Sequence, residues 1–433
     1  MGGVSTPTPV GAAQRCNVDW RTLTGEGSDE PRSEDHVTAS TAQGRDPASL
    51  RRHNLRALLR HLHLRGPTSR VGLGEVTGLT RSAIADLVGE LTERGLVLES
   101  GSSQQQPGRT GRGRPPLIVS LRDERAYVLA IAIDVDTVRI GRVGLGGNVL
   151  EEMTTQHEHS PGDPTPGLEQ LARLVRELVT TTEAPPIAVG VAVPGLVRDE
   201  DGVVTRAPNL GWHELALGQR LRESADITAP VVVGNEARLA ALAEHRRGAG
   251  RDRTDLVYVS AGVGVGAGIV AHDQLLTGNT GYAGEIGHMI TSPGGRTCHC
   301  GARGCWETEI GADALLRRIG VVEPADRQAE LERLFDRAER GDAEALDAFR
   351  QLCAPVATGL ANLINIFDPG LVLLGGLLRP LLRHAEGELR HSLERVRGLP
   401  ELPVELGSAR LGEQGHLLGA AEAAVSSFLA SFE

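Results

Sequence analysis

Apolar residues recur at helical spacing just after the first 46 residues of the chain. One predicted amphipathic helix carries four leucines on a single face: Leu55, Leu58, Leu59 and Leu62. A short helix is predicted over Val71–Thr77, and a third from its capping residue Thr80 to Arg94, where Gly95 ends it. Two apolar segments, GLVLES and PLIVSL, then flank the polar stretch GSSQQQPGRTGRGRP. Three helices followed by such a hairpin predict a winged helix-turn-helix over residues 47–122.

From Ala126 onward, short buried strands alternate with helices and glycine-rich turns. YVLAIAIDVDTVRIGRVGLGGNVLEE predicts three successive strands, and IAVGVAVPGLV predicts a buried strand that enters a Pro-Gly turn. VVVGNEARLAALAEHRRGAG predicts a strand, a turn and a long helix, and DLVYVSAGVGVGAGIVAHDQLL predicts a hairpin. This alternation predicts an α/β body of two lobes over residues 126–433, with a ligand cleft between the lobes.

Charge is distributed unevenly along the chain. Residues 1–46 are rich in Gly, Ser, Thr, Pro and acids without apolar periodicity, which predicts a disordered N-terminal extension. The formal net charge is -11, yet residues 50–122 hold twelve arginines against five acids. A basic module on an acidic body indicates that the module meets nucleic acid. The chain has no lysine, which excludes a Walker-type phosphate loop.

Cysteine usage and hydropathy narrow the class of protein further. Three of the five cysteines fall within one short loop, so they do not form a disulfide framework. No apolar run reaches the length of a membrane span, and the N-terminus lacks the regions of a signal peptide. We therefore expect a cytoplasmic protein without a membrane partner.

The segment EIGHMITSPGGRTCHCGARGCWE, residues 285–307, combines one imidazole with three thiols. The four groups belong to His288, Cys298, Cys300 and Cys305. Zinc in structural sites prefers a closed tetrahedral shell of Cys and His, so we expect a structural Zn²⁺ held by a loop over residues 288–305. The alternatives for these residues are a set of thiols without metal and a redox switch.

The same segment resembles the central motif of the ROK family, which contains bacterial sugar kinases and sugar-responsive transcriptional repressors. The resemblance rests on EIGH followed by CxCGxxGCxE and extends over most of the chain. It implies an actin-like ATPase fold for the body, as in ROK sugar kinases. It also implies that Glu285, His288 and Glu307 contact sugar hydroxyls, with His288 serving as a metal ligand as well.

Further sugar contacts are expected on the same grounds. APNLGW matches the Asn-Leu-x-Trp segment of the family, whose asparagine contacts sugar, and here this residue is Asn209. Gly195 in the PGLV turn, together with Asn235 and Glu236, completes the expected set. The alternatives are that Asn209 only closes a turn and that Glu307 caps a helix that begins near Thr308. Such residues suit hexoses and amino sugars alike, so the sugar stays open.

DNA contacts are predicted at the start of the third helix, because the second helix of a helix-turn-helix enters the major groove by its N-terminal residues. The candidates there are Thr80, Arg81, Ser82 and Asp86, with Arg81 suited to a bidentate contact with guanine. The wing offers basic candidates for phosphates or a narrow minor groove: Arg109, Arg112 and Arg114. ROK repressors carry GGRP in the wing, where this chain has GRGRP. The alternative is a protein-interaction module with a solvated arginine face.

Two departures from the ROK kinase pattern bear on catalysis. The phosphate hairpin DxGGT aligns with Asp134-Val135-Asp136-Thr137, which lacks the paired glycines and adds an acid where phosphates pass. The kinase motif NDxN, whose aspartate takes the proton from the sugar, is replaced by Asn235-Glu236-Ala237-Arg238. Arg238 is a candidate to neutralise Glu236. We therefore expect a sensor without phosphoryl transfer.

These observations favour a transcriptional regulator of carbohydrate genes, most simply a repressor. Its expected partners are a double-stranded DNA operator, a sugar or sugar derivative, and further copies of itself in a homodimer or homotetramer. The alternative is an ATP-dependent hexose kinase with an accessory DNA-binding domain, in which Glu236 acts as the base.

Overall fold

The computed structural model describes residues 47–101, 117–158, 160, 162–182, 184–397 and 403–432. The predicted disordered extension over residues 1–46 lies outside the described residues. The predicted wing contacts Arg109, Arg112 and Arg114 lie outside them as well.

The N-terminal part contains three helices and a small antiparallel sheet. Strand β3 pairs with both β1 and β2, so the sheet order is β1-β3-β2. These are the elements of a winged helix-turn-helix, as the sequence predicted. In chain order they are α1 (Pro47–Arg65), β1 (Thr68–Ser69), α2 (Arg70–Thr77), α3 (Arg81–Glu93), β2 (Val97–Gly101) and β3 (Leu117–Leu121).

Local capping fixes the ends of α2 and α3. The Ser69 side chain accepts a hydrogen bond from the backbone N–H of Gly72, which caps α2. Thr80 caps α3 in the same way through the N–H of Ala83. Gly95 follows α3 with a φ of 72°, which agrees with the predicted position of the helix end.

The first lobe is built on a five-stranded sheet of order β11-β7-β4-β5-β6. Its strands are β4 (Tyr127–Ile133), β5 (Thr137–Gly144), β6 (Val149–Gln156), β7 (Val189–Val193) and β11 (Val231–Asn235). Helices α4 (Thr165–Thr180) and α5 (Leu217–Ala225) flank this sheet. A three-stranded sheet of order β10-β9-β8 adjoins it, formed by β8 (Leu196–Val197), β9 (Val204–Ala207) and β10 (Trp212–Leu215).

The second lobe repeats the strand order of the first, with a sheet of order β14-β13-β12-β15-β16. Its strands are β12 (Leu256–Ala261), β13 (Val265–Ala271), β14 (Gln274–Leu275), β15 (Leu371–Gly376) and β16 (Glu405–Ser408). Its helices are α7 (Glu307–Ile310), α8 (Ala312–Arg317), α9 (Arg327–Glu339), α10 (Ala343–Phe367) and α11 (Leu378–Val396). In each sheet a three-stranded antiparallel meander is followed by two parallel strands. This duplicated order is the arrangement of the actin-like fold that the sequence predicted.

Two helices, α6 (Glu236–Arg247) and α12 (Gln414–Ser431), pack against each other between the sheets. Helix α6 lies against β12 and β13, and α12 lies against β4 and β7. A Cβ atom on Gly190 of β7 would lie 1.9 Å from the carbonyl oxygen of Ala420, so only glycine allows this close approach. The predicted turn between β11 and α6 is absent, because α6 begins directly after Asn235.

A continuous apolar core joins the winged helix to the first lobe. Leucines of α1 and α3 belong to the same buried cluster as residues of β4 and α12. A buried ionic group lies at this junction. Glu422 of α12 accepts from Nε of Arg247 at 2.7 Å, pairs with Nη1 of Arg246 at 3.0 Å, and contacts Nε2 of His63 of α1 at 2.9 Å.

None of the helices in the described part of the chain is both long and apolar enough to span a bilayer.

Candidate functional site

The four predicted zinc ligands converge in the structure. The ligand atoms of His288, Cys298, Cys300 and Cys305 all lie within 4.8 Å of one another. Sγ of Cys300 is 3.6 Å from Sγ of Cys305, and Sγ of Cys298 is 3.7 Å from Nδ1 of His288. Tetrahedral thiolates about 2.3 Å from a zinc ion stand about 3.8 Å apart, so the donor set fits Zn²⁺.

Backbone geometry and one tryptophan hold the ligand loop in place. Gly304 has a φ of 81°, and a Cβ atom there would lie 1.8 Å from the carbonyl oxygen of Ser292. Trp306, directly after the ligand Cys305, is fully buried, and its indole N–H donates to the carbonyl of Pro355 at 2.8 Å. The indole covers Gly359 of α10, where any Cβ would collide with the ring. The loop is therefore anchored to the core of the second lobe.

His288 lies between the thiols and Glu285. Its Nδ1 faces Cys298, and its Nε2 is 3.9 Å from a carboxylate oxygen of Glu285. Burial lowers the pKa of His288, with Glu307 opposing the shift, so the ring offers a metal its neutral form. The side chain of Glu285 is partly exposed. Burial of the rest raises the pKa of Glu285, and the positive charge of Arg238 opposes this shift.

Glu307 begins α7 and has partners that the sequence analysis missed. One oxygen accepts from the backbone N–H of Val265 at 3.1 Å, and the other lies 2.9 Å from Nδ1 of His299. The cap position of α7 is occupied by Trp306, and Glu307 is the first residue of the helix. Cys298, His299 and Glu307 could also hold a metal ion. That set shares Cys298 with the four-ligand set, which zinc prefers for its additional thiolates.

Asn235 connects α6 to the turn before β8. Its Oδ1 accepts from the N–H groups of Ala237 and Arg238 at 3.0 and 3.1 Å, and its Nδ2 donates to the carbonyl of Gly195 at 2.9 Å. Gly195 has a φ of 103°, and a Cβ there would lie 2.3 Å from the carbonyl oxygen of Arg206. Asn235 therefore fixes the start of α6, and one of its N–H groups has no acceptor among the residues that the structure describes.

Glu236 is the first residue of α6 and is half-buried. Burial raises its pKa to about 8, and the negative charge of Asp134 adds to the shift. The side chain is therefore mostly protonated at neutral pH. A protonated carboxyl donates a hydrogen bond, and only the smaller ionised fraction is able to take a proton from a sugar hydroxyl.

Arg238 occupies the same helical turn but does not pair with Glu236, contrary to the expectation from the sequence. Its Nη2 donates to Oδ1 of Asp199 at 2.8 Å. The side chain is 5% exposed. Its Nε and Nη1 have no hydrogen-bond partner among the described residues.

Glycines of the β12–β13 hairpin have a packing role in this fold. A Cβ on Gly266 would lie 2.7 Å from Cβ of Ala237, and one on Gly268 would lie 2.2 Å from Cβ of Ala241. Both glycines therefore allow α6 to lie on β13. This packing accounts for the two glycines without any role in nucleotide binding.

Other predicted site residues lie at exposed positions. Asn209 is exposed on a short 3-10 helix, Pro208–Leu210, held by the buried Leu210. Asp134 and Asp136 are exposed at the β4–β5 turn, as is Thr137 at the start of β5. The predicted DNA contacts of α3 are all exposed, whereas the opposite face is buried in the core. These contacts are Thr80, Arg81, Ser82 and Asp86.

A family model confirms the resemblance: the model of the ROK family matches residues 128–426. The chain belongs to the ROK family. Among its ROK relatives, the xylose repressor of Bacillus subtilis (strain 168) is 27% identical over 388 residues, which cover 89% of this chain and 98% of that protein.

Two solved structures of ROK proteins extend the comparison. The structure of a ROK family transcriptional regulator, a homolog of the E. coli MLC protein, has a TM-score of 0.72 and 26% identity, and covers 88% of this chain and 96% of that one. A ROK family glucokinase from Streptomyces griseus, in complex with glucose and AMPPNP, has a TM-score of 0.61 and 28% identity. That alignment covers 70% of this chain and 100% of the kinase.

Proposed function

We propose that this ROK protein is a sugar-responsive transcriptional repressor of carbohydrate genes. One observation carries the proposal: the likeness to the xylose repressor and to the ROK regulator covers nearly nine tenths of the chain. The body over residues 126–433 accounts for only about seven tenths of the chain, which is the share that the glucokinase covers. The likeness to regulators therefore extends into the winged helix over residues 47–122.

In this proposal the winged helix binds an operator through the N-terminal end of α3. Thr80, Arg81, Ser82 and Asp86 face solvent there, free to approach base edges. Arg81 takes guanine O6 and N7, and Arg109, Arg112 and Arg114 contact phosphates or the minor groove. Two winged helices in a homodimer or homotetramer match the two halves of a palindromic operator. A repressor binds genomic DNA, so we also propose a cytoplasmic location.

The sugar binds where α6, the β8 turn and the ligand loop meet. Glu285 and His288 supply an acceptor and a donor, and Glu236 supplies a donor as a protonated carboxyl. Asn209 and Asn235 supply amide groups, and Gly195 shapes the turn before β8. Glu307 is the last of the proposed sugar contacts. Mixed donors and acceptors suit a ligand with several hydroxyls.

A structural zinc ion completes this site in the proposal. His288, Cys298, Cys300 and Cys305 would hold it, and the ion would supply order to the loop without taking part in chemistry. The neutral imidazole of His288 would keep Nε2–H directed at Glu285, a contact typical of histidine ligands.

We also propose that the protein lacks kinase activity. The pKa of Glu236, about 8, leaves most of the candidate base protonated at neutral pH. Asp134 and Asp136 would repel a triphosphate at the β4–β5 turn. The second candidate, a hexose kinase, is favoured only by the likeness to glucokinases such as that of Streptomyces griseus.

Helix α6 offers a physical connection between the two proposed sites. The helix begins with Glu236 at the proposed sugar site and ends with Arg246 and Arg247. Both arginines pair with Glu422, and Glu422 contacts His63 of α1. Burial alone would raise the pKa of Glu422, but the positive groups around it lower this pKa far below its usual range. A shift of α6 on sugar binding would therefore be transmitted to α1 through a buried charged contact.

Selection of genomic DNA by the purified, zinc-loaded protein tests the proposal. We expect enrichment of a short palindrome near carbohydrate genes and its release by one sugar of a panel. The variant Arg81→Ala, which alters an exposed residue, should lose the enrichment but keep its sugar affinity. Absence of enrichment over bulk DNA at moderate salt would contradict operator binding. Sugar-dependent ADP release that Glu236→Gln abolishes would favour the kinase instead.

A further inference from the structure

Arg238 is the buried cation of the site, and its position is unusual for a structural arginine. A buried guanidinium is normally satisfied on all its N–H groups, because an unpaired buried donor costs free energy. Here Asp199 engages Nη2 alone, and Nε and Nη1 are unpaired among the residues that the structure describes. The single N–H of Nε and the two N–H groups of Nη1 are therefore left for acceptors that the described residues do not provide.

The surroundings place these donors at the proposed sugar site. Arg238 follows Asn235 and Glu236 in the first turn of α6. Its positive charge opposes the rise in the pKa of Glu285 that burial causes, so the two side chains are close enough to interact. Asp199 packs against the segment that leads to Glu285, since its backbone N–H donates to the carbonyl of Thr280. Arg238 thus lies between two groups of residues that the family resemblance assigns to the sugar.

The charges of the neighbouring groups restrict what the acceptor can be. Asp199 and Glu285 are the acidic groups that interact with Arg238, and Asp134 acts on its neighbour Glu236. A phosphate or carboxylate ligand would gain Arg238 but would be repelled by Asp199 and Glu285, which is unfavourable at low dielectric. A hydroxyl oxygen accepts from the guanidinium without adding negative charge.

We propose that Arg238 is a specificity-determining residue whose Nε and Nη1 donate to hydroxyl oxygens of an uncharged sugar, and that the site selects the free sugar over its phosphate ester. The inference rests on the proposed sugar response. Both nitrogens are buried, so sugar binding requires the protein around them to move and expose them. The hydrogen bond from Nη2 to Asp199 keeps the guanidinium oriented during this movement. A sugar that accepts hydrogen bonds from these donors binds more tightly to the conformation in which they are exposed. Such a difference in affinity between two conformations is what a sensor requires.

Stability and affinity together separate this role from a purely structural one. A structural Arg238 would lower the thermal midpoint when replaced. A ligand-binding Arg238 with unpaired donors gives the opposite result, because Arg238→Met removes buried donors that lack acceptors. We expect Arg238→Met to raise the midpoint of the sugar-free protein and to weaken sugar binding about tenfold to a hundredfold, as charged hydrogen bonds are lost.

The experiment is isothermal titration of full-length, zinc-loaded protein with D-xylose, D-glucose, N-acetyl-D-glucosamine and glucose 6-phosphate, alongside thermal unfolding. Arg238→Asn, which restores the residue of the kinase pattern, is a second variant in case Arg238→Met does not fold. Arg220→Met on the exposed surface of α5 is the matched control and should bind as the wild type does.

The possible results distinguish this inference from the proposed function. Wild-type binding of one neutral sugar, lost in both Arg238 variants, supports it. Equal binding by wild type and variants, or tighter binding of glucose 6-phosphate, overturns the inference but leaves a sugar-responsive protein. If the wild type binds no member of the panel, the inference and the proposed sugar response both fail.

Discussion

At the scale of single residues, Glu236 has an environment that alters its chemistry. In the folded protein its pKa is raised to about 8, whereas the ordinary value is 4.5. Between these two values the folded state retains a proton that the unfolded chain has released. The stability of the protein therefore falls as pH rises through this window, because the folded state binds more protons there.

We expect Glu236→Gln to remove this pH dependence. Glutamine keeps the shape and a donor but does not ionise, so the variant should be more stable than the wild type at pH 8.5 and little changed at pH 5. A gain of about 1 kcal/mol corresponds to about 1 °C in the thermal midpoint, because the entropy of unfolding is about 2.1 cal/mol/K per residue. Thermal unfolding at both pH values measures the effect.

Glu223→Gln, at an exposed position on α5, is the control and should follow the wild type at both pH values. Equal pH slopes for wild type and Glu236→Gln would mean that Glu236 is ionised in the folded protein. The argument that Glu236 is unable to act as a base would then be lost.

Several residue roles could not be predicted from the sequence, because each depends on a partner distant in the chain. Asn235 is tied to Gly195, Arg238 to Asp199, and His299 to Glu307. A motif gives the type of side chain and its spacing, but burial and pairing arise only when separate elements pack together. For this reason Arg238 was expected to neutralise its neighbour Glu236 rather than Asp199. The four zinc ligands were predictable because they lie within one short segment.

At the scale of elements, the ligand loop is the part whose order depends most on a bound group. It contains few regular elements between the 3-10 helix at Ile286–His288 and α7, with isolated bridges such as the pair Thr297–Arg303. Backbone hydrogen bonds such as that from the N–H of Cys298 to the carbonyl of Ala302 order the loop, and metal binding would add to this order.

We expect Cys300→Ser, or removal of zinc by a chelator, to weaken the sugar response more than DNA binding. Cys300 is less buried than Cys298 and Cys305, so its replacement removes a ligand with little change in packing. The zinc content per chain, measured by atomic emission, should fall, and sugar affinity should fall at least tenfold. Operator affinity without sugar should change little.

Cys353→Ser tests whether loss of any buried cysteine has the same effect, since Cys353 lies in the core of the second lobe and belongs to neither candidate metal-ligand set. Its zinc content should equal that of the wild type. Full sugar affinity in zinc-free protein would contradict the role assigned to the metal.

Elements with strong local patterns were predictable, and those stabilised by distant contacts were not. The leucine periodicity of α1, the cap of α3 and the apolar runs of β4 and β7 each determine an element locally. The small sheet β8–β9–β10 was missed because its strands are two to four residues long and are defined by pairing with one another. Helix α6 starts earlier than expected because Asn235, placed in a predicted turn, is its cap.

At the scale of the whole molecule, coupling between sugar and operator must be reciprocal. If saturating sugar weakens operator affinity by some factor, bound operator weakens sugar affinity by the same factor. We expect a factor of about 5–150, the usual range for coupled sites. Titrations of each ligand in the presence and absence of the other, at fixed salt, measure both values.

Glu422→Gln should reduce this factor toward one while the sugar site itself is preserved. The substitution leaves Arg246 and Arg247 without their buried partner, at a stability cost of about 3–5 kcal/mol. Arg65→Ala breaks an exposed ion pair with Asp252 and is the control that should keep the coupling. Undiminished coupling in a folded Glu422→Gln protein would mean that α6 does not transmit the sugar signal.

The anchoring of Trp306 has an optical consequence. The chain contains three tryptophans, and two of them, Trp212 and Trp306, are buried. Trp306 directly follows the proposed zinc ligand Cys305, and Trp212 lies two residues after the 3-10 helix that contains Asn209. Because indole emission depends on the polarity and mobility of its surroundings, the protein carries one fluorophore beside the ligand loop and another beside Asn209. Metal loading and sugar binding can therefore be followed separately, without a label, in single-tryptophan variants.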